Sequence, residues 1–319
     1  MLSALFEKPV AMLLGYNTNG FAHHALEDCC AILAEIGYKS VALTLEAVLL
    51  DPPDRSGVRE AVRQIKPLLA KYALRATIET GSRFLLDPRR KHWPTLISAS
   101  AEARRRRVAF LLAAVEVAAE LEADSVSFWS GAPDVGCSGG VGQYHGTVVD
   151  GRAGKHGPCA DEKGHEEGTT EEELWSRLQA GIEPVLDHAR RRGVRLAFEP
   201  EPGMFIDTMA KFARLAAHFD DPHFGLTLDV GHVHCLGDGD IAQQIKTWQT
   251  KLFNVHIEDM RRGVHEHLMF GEGEIDFPGV VAALKEIGYR GPVHVELARH
   301  AHNAVSIAQA SFDFLASLA

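Results

Sequence analysis

The sequence predicts an α/β fold, a single (β/α)8 TIM barrel that spans residues 1–319, and three observations indicate it. Short apolar runs alternate with amphipathic helical segments along the chain, as strands and helices do in a parallel barrel. The short runs are apolar throughout, which is typical of strands buried on both faces. The chain has 319 residues, of which 46% are hydrophobic, so it can fill one large barrel.

Eight strand–helix units follow one another. Gly37, Gly193 and Gly288 end three of the helices, and Thr170 with Glu173 resembles a capping box at the start of another. The predicted strands are Val10–Leu14, Ser40–Leu45, Arg75–Ile78, Asp124–Phe128, Val194–Phe198, Gly225–Leu228, Leu252–Val255 and Pro292–Val295. The predicted helices are Ala25–Ile36, Gly57–Lys71, Ser98–Leu121, 170–192, Met209–His218, Ile241–Thr250, Phe277–Ile287 and Ala304–Leu318.

The segment 132–168, after the fourth predicted strand, has neither a helical nor a strand period. It is rich in glycine, histidine and charged residues. Loops of this length inside a compact domain are uncommon and are usually functional lids or disordered segments. We therefore expect an insertion that covers the barrel mouth as a lid.

Composition limits the partners and the compartment. The net charge of −10 argues against nucleic acid or an anionic membrane as a partner. Five cysteines form no CxxC pair, which favours a reducing, cytoplasmic setting. The chain shows no signal-peptide pattern and no apolar run of about 20 residues. We expect a cytoplasmic protein that acts on a small molecule, with a homodimer as the commonest form of assembly.

Four of the predicted strands end on a side chain that can bind a metal: Glu199, Asp229, His256 and Glu296. The carboxyl ends of barrel strands meet at one face, where three carboxylates would repel one another without a cation. Mostly oxygen ligands favour Mn²⁺, Mg²⁺, Co²⁺, Fe²⁺ or Zn²⁺. The alternative is four separate polar residues, and Glu201 would replace Glu199 as the ligand if its strand ended later.

Several stretches resemble the xylose-isomerase-like TIM-barrel superfamily, which includes sugar isomerases, ketose 3-epimerases, inosose-processing enzymes, hydroxypyruvate isomerases and the endonuclease IV repair enzymes. The resemblance covers the chain from Val194 onwards. Before Val194, mainly the order and spacing of the predicted strands agree. The stretches are Glu199 after Leu-Ala-Phe, Asp229-Val230-Gly231-His232, Asn254-Val255-His256-Ile257-Glu258-Asp259, His267-Leu268-Met269-Phe270-Gly271-Glu272-Gly273-Glu274-Ile275 and Val293-His294-Val295-Glu296.

The resemblance implies that Glu199, Asp229, His256 and Glu296 bind a shared divalent metal ion. It further implies that Glu199 and Glu296 transfer a proton at the substrate carbon. Both roles fit a metal-dependent isomerase or epimerase of a small sugar, polyol or hydroxy-carbonyl metabolite, acting through an enediolate. His232 would then orient or polarise the substrate oxygens.

The histidines His232, His265 and His267 leave two alternatives open. In endonuclease IV the matching region binds a further zinc ion, so the three imidazoles would form a second metal site. Otherwise His232 hydrogen-bonds substrate hydroxyls and His265 is solvated. A second ion would favour a dehydratase or a multi-metal hydrolase. A non-catalytic barrel that binds a metabolite is a further alternative.

Three residues near the predicted mouth are candidates for substrate binding. Endonuclease IV enzymes have histidines after strands three and four, where this chain has Glu79 and Trp129. That difference and the acidic net charge argue against DNA repair. Trp129 would form an apolar wall for a sugar, or else pack at the barrel rim. Arg261 would anchor a substrate carboxylate or phosphate, or else lie in solvent.

Overall fold

The computed structural model describes residues 12–45, 55–133 and 169–318. Eight parallel strands form a closed barrel in which each strand pairs with its neighbours along the chain, and the last pairs with the first. The predicted (β/α)8 TIM barrel is therefore confirmed. The barrel strands are β1 (Leu13–Asn17), β2 (Ser40–Thr44), β3 (Arg75–Glu79), β4 (Val126–Phe128), β5 (Leu196–Phe198), β6 (Phe224–Asp229), β7 (Leu252–Ile257) and β10 (Pro292–Val295).

Helices surround the barrel, and their ends follow the expected chemistry. Thr170 accepts from the backbone N–H of Glu173, whose side chain accepts from the backbone N–H of Thr170, so the predicted capping box is present. Gly193 ends the same helix in the left-handed conformation, with φ of 68°. The helices are α1 (Leu26–Ile36), α2 (Arg55–Tyr72), α3 (Ala101–Leu121), α4 (Glu171–Arg192), α5 (Met209–His218), α6 (Val230–Leu236), α7 (Ile241–Thr247), α8 (Phe277–Glu286) and α9 (Ala304–Leu318).

Most strand boundaries differ from the predicted ones by one to three residues, and two strands, β1 and β7, continue at least two residues beyond their predicted ends. β1 continues through Gly15, Tyr16 and Asn17, beyond its predicted end at Leu14. The start of the prediction, before residue 12, lies outside the described residues. β7 continues to Ile257, so His256 lies inside a strand rather than just beyond it. Parallel pairing on both sides extends each strand beyond the point that its apolar run suggests.

An α-helix and a β-hairpin were not predicted. Helix α6 begins directly after β6, because the side chain of Asp229 accepts a hydrogen bond from the backbone N–H of His232 and caps the helix. Strands β8 (Asp259–Arg261) and β9 (Val264–Leu268) form an antiparallel hairpin outside the barrel. Helix α6 follows β6 without a break, and the hairpin strands are mostly polar, so no separate apolar pattern marks either element in the sequence.

The barrel interior carries a polar layer beneath the carboxyl ends of the strands. TIM-barrel interiors are dominated by branched apolar side chains. Here several fully buried polar side chains hydrogen-bond across strands, as between Thr227 and Ser127 at 3.0 Å. Further buried polar residues are Ser40, Thr77, Asn254 and His294.

The predicted lid falls almost wholly on residues 134–168, which lie outside the described part of the chain. Its role therefore stays a prediction. Among the helices that the structure describes, none is both long and apolar enough to cross a membrane.

Candidate metal centre

Four predicted ligands stand at the carboxyl ends of barrel strands. Glu199 directly follows β5, Glu296 directly follows β10, and Asp229 is the last residue of β6. His256 lies in β7, where it pairs with Asp229 in the sheet register. One ligand atom from each of the four side chains lies within 4.8 Å of the other three. The structure thus gathers these residues, which we call the strand-end cluster.

The imidazole of His256 is at the centre of the strand-end cluster. Its Nδ1 lies 2.9 Å from Oε1 of Glu199 and 3.0 Å from Oε2 of Glu296. Asn19 donates from Nδ2 to Oε1 of Glu296 at 2.9 Å, which fixes the orientation of that carboxylate. The Nδ1 atom therefore points to the place where two carboxylates converge.

Asp229 indicates most directly that the strand-end cluster suits a cation. Its Oδ1 accepts the α6 capping hydrogen bond at 2.8 Å, but its buried Oδ2 has no hydrogen-bond partner among the described residues. A buried carboxylate oxygen without a donor is costly unless a cation or proton compensates it. The residues therefore fit a divalent ion with a preference for oxygen ligands.

The charges of the strand-end cluster are strongly coupled. Burial raises the pKa of Glu199 to about 8, although His256 opposes this. Burial alone would lower the pKa of His256, but the carboxylates of Glu199, Glu79 and Glu296 raise it well above its usual value. Burial also acts to raise the pKa of Glu296, yet His256 holds it below the usual range. The imidazole of His256 therefore partly compensates the negative charge of the carboxylates.

A second group, which we call the histidine cluster, comprises His232, His265 and His267. His232 lies in α6, and the other two lie in β9. The Nε2 atoms of His232 and His265 are 3.1 Å apart. Nδ1 of His232 lies 3.1 Å from the carbonyl oxygen of Pro200, and Nδ1 of His267 lies 3.2 Å from that of Glu296. Because a carbonyl only accepts, these two Nδ1 atoms carry protons and their Nε2 atoms are free to bind a metal.

Two carboxylates border both clusters: Glu201, which was the alternative to Glu199, and Glu258, which was not among the predicted ligands. Glu201 lies 3.8 Å from Nε2 of His232 and 3.9 Å from Nε2 of His265. Glu258 is fully buried, and its carboxylate lies 3.9 Å from Nδ1 of His267. Each follows a cluster residue by two positions, which is the spacing that returns an extended chain to the same face. That spacing was the available sequence signal.

Glu79 is one of the three residues predicted to bind substrate, and that role stays a prediction. It is the last residue of β3 and is 5% exposed. Its Oε1 lies 3.0 Å from Nε2 of His256 and accepts from Nδ2 of Asn254 at 3.4 Å. Its visible contacts are therefore with the imidazole of the strand-end cluster.

The other two residues predicted to bind substrate lie in different settings. Trp129 directly follows β4 and is 6% exposed. Its ring packs edge-to-face on His92, and the guanidinium of Arg107 lies 4.5 Å from its centroid. Arg261 is exposed in β8 and donates to the carbonyl oxygen of Glu272 at 3.2 and 2.9 Å. Substrate contact stays a prediction for both residues.

Comparisons with known proteins agree with this architecture. The family described as "Xylose isomerase-like TIM barrel" matches residues 30–318. L-ribulose-5-phosphate 3-epimerase UlaE of Salmonella paratyphi C (strain RKS4594) is 30% identical over 126 residues, which is 40% of this chain and 44% of that protein. The match thus spans less than half the length of this curated relative.

Solved structures share the fold over nearly the whole chain. D-allulose 3-epimerase from Methylomonas sp., in complex with D-allulose, has a TM-score of 0.66 and 18% identity, covering 97% of each chain. The IOLI protein with a bound zinc atom has a TM-score of 0.66 and 16% identity, covering 97% of this chain and 99% of that one. At these identities the likeness shows the fold alone.

Proposed function

From the premise that the chain belongs to the xylose isomerase-like TIM-barrel family, we propose that it is a divalent-metal-dependent isomerase or epimerase. Its substrate is a small sugar, polyol or related hydroxy-carbonyl metabolite. The observation that carries this proposal is that the four side chains of the strand-end cluster bring their ligand atoms together. The epimerase named for the curated relative and the D-allulose complex of a structural neighbour support the sugar class. We further propose a cytoplasmic setting and a homodimer.

Glu199, Asp229, His256 and Glu296 would hold the ion, with Mn²⁺, Mg²⁺, Co²⁺, Fe²⁺ and Zn²⁺ as candidates. When bound, such an ion stabilises the negative charge that builds on substrate oxygens during deprotonation. The zinc atom of the IOLI protein supports a metal in this fold.

Glu199 and Glu296 are the proposed proton-transfer residues. They follow β5 and β10, which lie on opposite sides of β6 and β7 in the barrel. Their carboxylates therefore approach Nδ1 of His256 from two directions. A carbon held between them would lose its proton to one carboxylate and regain it from the other or from the same one. His232, with Nε2 free, would orient the substrate oxygens.

Deuterium incorporation tests the proposal across a panel of sugars, so the natural substrate need not be identified first. The purified protein, supplied with each candidate ion, is incubated in D₂O with ketoses that include L-ribulose 5-phosphate and D-allulose. We expect NMR to show deuterium at the carbon next to a carbonyl. Glu296→Gln should lower the exchange rate by about 10²–10⁴-fold, because it removes an acid–base group.

The exposed carboxylate Glu286, which pairs with Lys246 on the protein surface, provides a matched control. Glu286→Gln should exchange deuterium at the wild-type rate. Wild-type exchange in Glu296→Gln would refute the proton-transfer role of Glu296.

The histidine cluster favours a second candidate function, a two-metal hydrolase or dehydratase. The 3.1 Å separation of two Nε2 atoms, with the third imidazole beside them, suits a further ion. Elemental analysis of the purified protein separates the two functions. One equivalent of metal favours the isomerase, and two equivalents favour the hydrolase or dehydratase.

A further inference from the structure

A chain of buried polar side chains runs through the barrel towards the strand-end cluster. It begins at Ser40 in β2, whose Oγ lies 2.9 Å from Nε2 of His294 in β10. Nδ1 of His294 lies 2.8 Å from Oδ1 of Asn254 in β7. His294 has space because Gly15, its register partner in β1, has no side chain, and a Cβ there would overlap the imidazole.

His294 determines which way the Asn254 amide faces. The amide oxygen Oδ1 of Asn254 only accepts, so Nδ1 of His294 carries a proton, and Nε2 of His294 can accept from the Ser40 hydroxyl. Nδ1–H therefore donates to Oδ1 of Asn254, and the NH₂ group of Asn254 faces Glu79 and His256.

This orientation leaves Glu79 as the acceptor for His256. The NH₂ group of Asn254 lies 3.1 Å from Nε2 of His256, but it cannot accept a proton from that ring. Oε1 of Glu79 lies 3.0 Å from the same Nε2 and can accept from both donors. With the proton on Nε2 held by Glu79, Nδ1 is the ring atom that would give up its proton to bind an ion beside Glu199 and Glu296.

We propose that Glu79 is a positioning residue for the metal ligand His256: it holds the Nε2 proton, fixes the ring and leaves Nδ1 to bind the ion. Asn254, oriented by His294, supports the Glu79 carboxylate. Carboxylates that accept from a metal-bound imidazole fix its tautomer and raise its basicity. The inference rests on the proposed metal-dependent function, because it assigns a role to a residue that contacts a proposed metal ligand.

Metal affinity is the first readout. The full chain is stripped of metal, and the dissociation constants for Zn²⁺ and Mn²⁺ are measured by competition with a chelator. We expect Glu79→Gln to weaken binding by about 10–100-fold, as is typical when such a carboxylate is removed. Glu79→Asp keeps the charge, but its side chain is shorter by one methylene group. We therefore expect a smaller loss of metal affinity. Circular dichroism verifies that each variant is folded.

Thr227→Val is the matched control. It disrupts another buried polar pair of the barrel interior, the 3.0 Å hydrogen bond to Ser127, without touching His256. Its metal affinity should equal that of the wild type. A loss in Thr227→Val as large as that in Glu79→Gln would mean that any polar change in the interior weakens binding, and would overturn the assignment.

NMR of the His256 imidazole is the second readout, because it reports the tautomer of the ring and not only the charge of the site. In zinc-loaded protein with ¹⁵N-labelled histidine, NMR should show His256 bound through Nδ1 and protonated at Nε2, the signal being identified by its loss in His256→Gln. Glu79→Gln should shift the Nε2 proton upfield, because an amide is a weaker acceptor than a carboxylate. Binding of the ion through Nε2 of His256 would overturn the inference, and so would an unchanged metal affinity in Glu79→Gln. Either result would still be compatible with the proposed metal site. A wild-type protein that binds no divalent ion would overturn both this inference and the proposed function.

Discussion

The strand-end cluster and the histidine cluster lie side by side but are built differently. The first takes its residues from β7 and from the ends of β5, β6 and β10, which are strands of one closed barrel. The second takes His232 from the seven-residue helix α6 and its other two histidines from a hairpin outside the barrel. The first cluster is therefore held by the barrel hydrogen bonds, whereas the second depends on how two short elements dock on its rim.

The two clusters also differ in charge. Three carboxylates surround a single imidazole in the strand-end cluster, and one buried oxygen of Asp229 has no partner among the described residues. The histidine cluster is composed of imidazoles, and burial lowers the pKa of His265 to about 2, so that this ring is neutral. An anionic site needs a cation for its own stability, but a neutral site does not. We therefore expect the first cluster to bind its ion more tightly.

The largest effect should follow from His256→Ala. It removes a direct ligand and leaves the buried carboxylates of Glu79 and Glu199 without their imidazole partner. We expect metal affinity to fall by more than about 100-fold, a greater loss than removal of a supporting carboxylate causes. Chelator competition measures it. A variant that keeps wild-type affinity would show that the histidine cluster, not the strand-end cluster, is the main site.

An intermediate effect is expected for His265→Ala. It removes the Nε2 atom that faces His232 but no ligand of the strand-end cluster. If the wild type holds two equivalents of metal, elemental analysis of this variant should find one; if it holds one, the content should not change. In either case the remaining ion should bind within about tenfold of the wild-type affinity, since only the neighbouring site is altered. Loss of all metal would contradict the separation of the two clusters.

The smallest effect should come from Gly231→Ala, in α6 between the clusters. A methyl group there would overlap Oε1 of Glu258 and the Met260 side chain. We expect a loss of about 1–3 kcal/mol in the free energy of unfolding, measured by denaturant titration, with the metal still bound. Gly81→Ala is the control, because its Cβ would meet only Trp129 at 3.6 Å, an ordinary contact. An unaltered stability in Gly231→Ala would show that Glu258 and α6 are free to adjust.

Much of the fold could be predicted because its signals are local. The apolar runs identified the eight barrel strands, and the capping box at Thr170 located the start of α4. The sequence missed α6 because Asp229 ends a strand and begins a helix at the same residue. It missed the β8–β9 hairpin because both strands are mostly polar and form no apolar run. The sequence identified the histidines of α6 and β9 as candidate ligands, but it did not predict the elements that carry them.

The sequence by itself determined which residues stand at the ends of β5, β6 and β10 and near the end of β7, because strand ends follow from the local pattern of apolar residues. Only the tertiary structure decided what each side chain touches. Glu79 and His256 are 177 positions apart, and no local pattern predicts that Oε1 of one meets Nε2 of the other. Closure of the barrel brings β3, β7 and β10 around one interior, and there long-range packing alone determines which buried donor meets which acceptor.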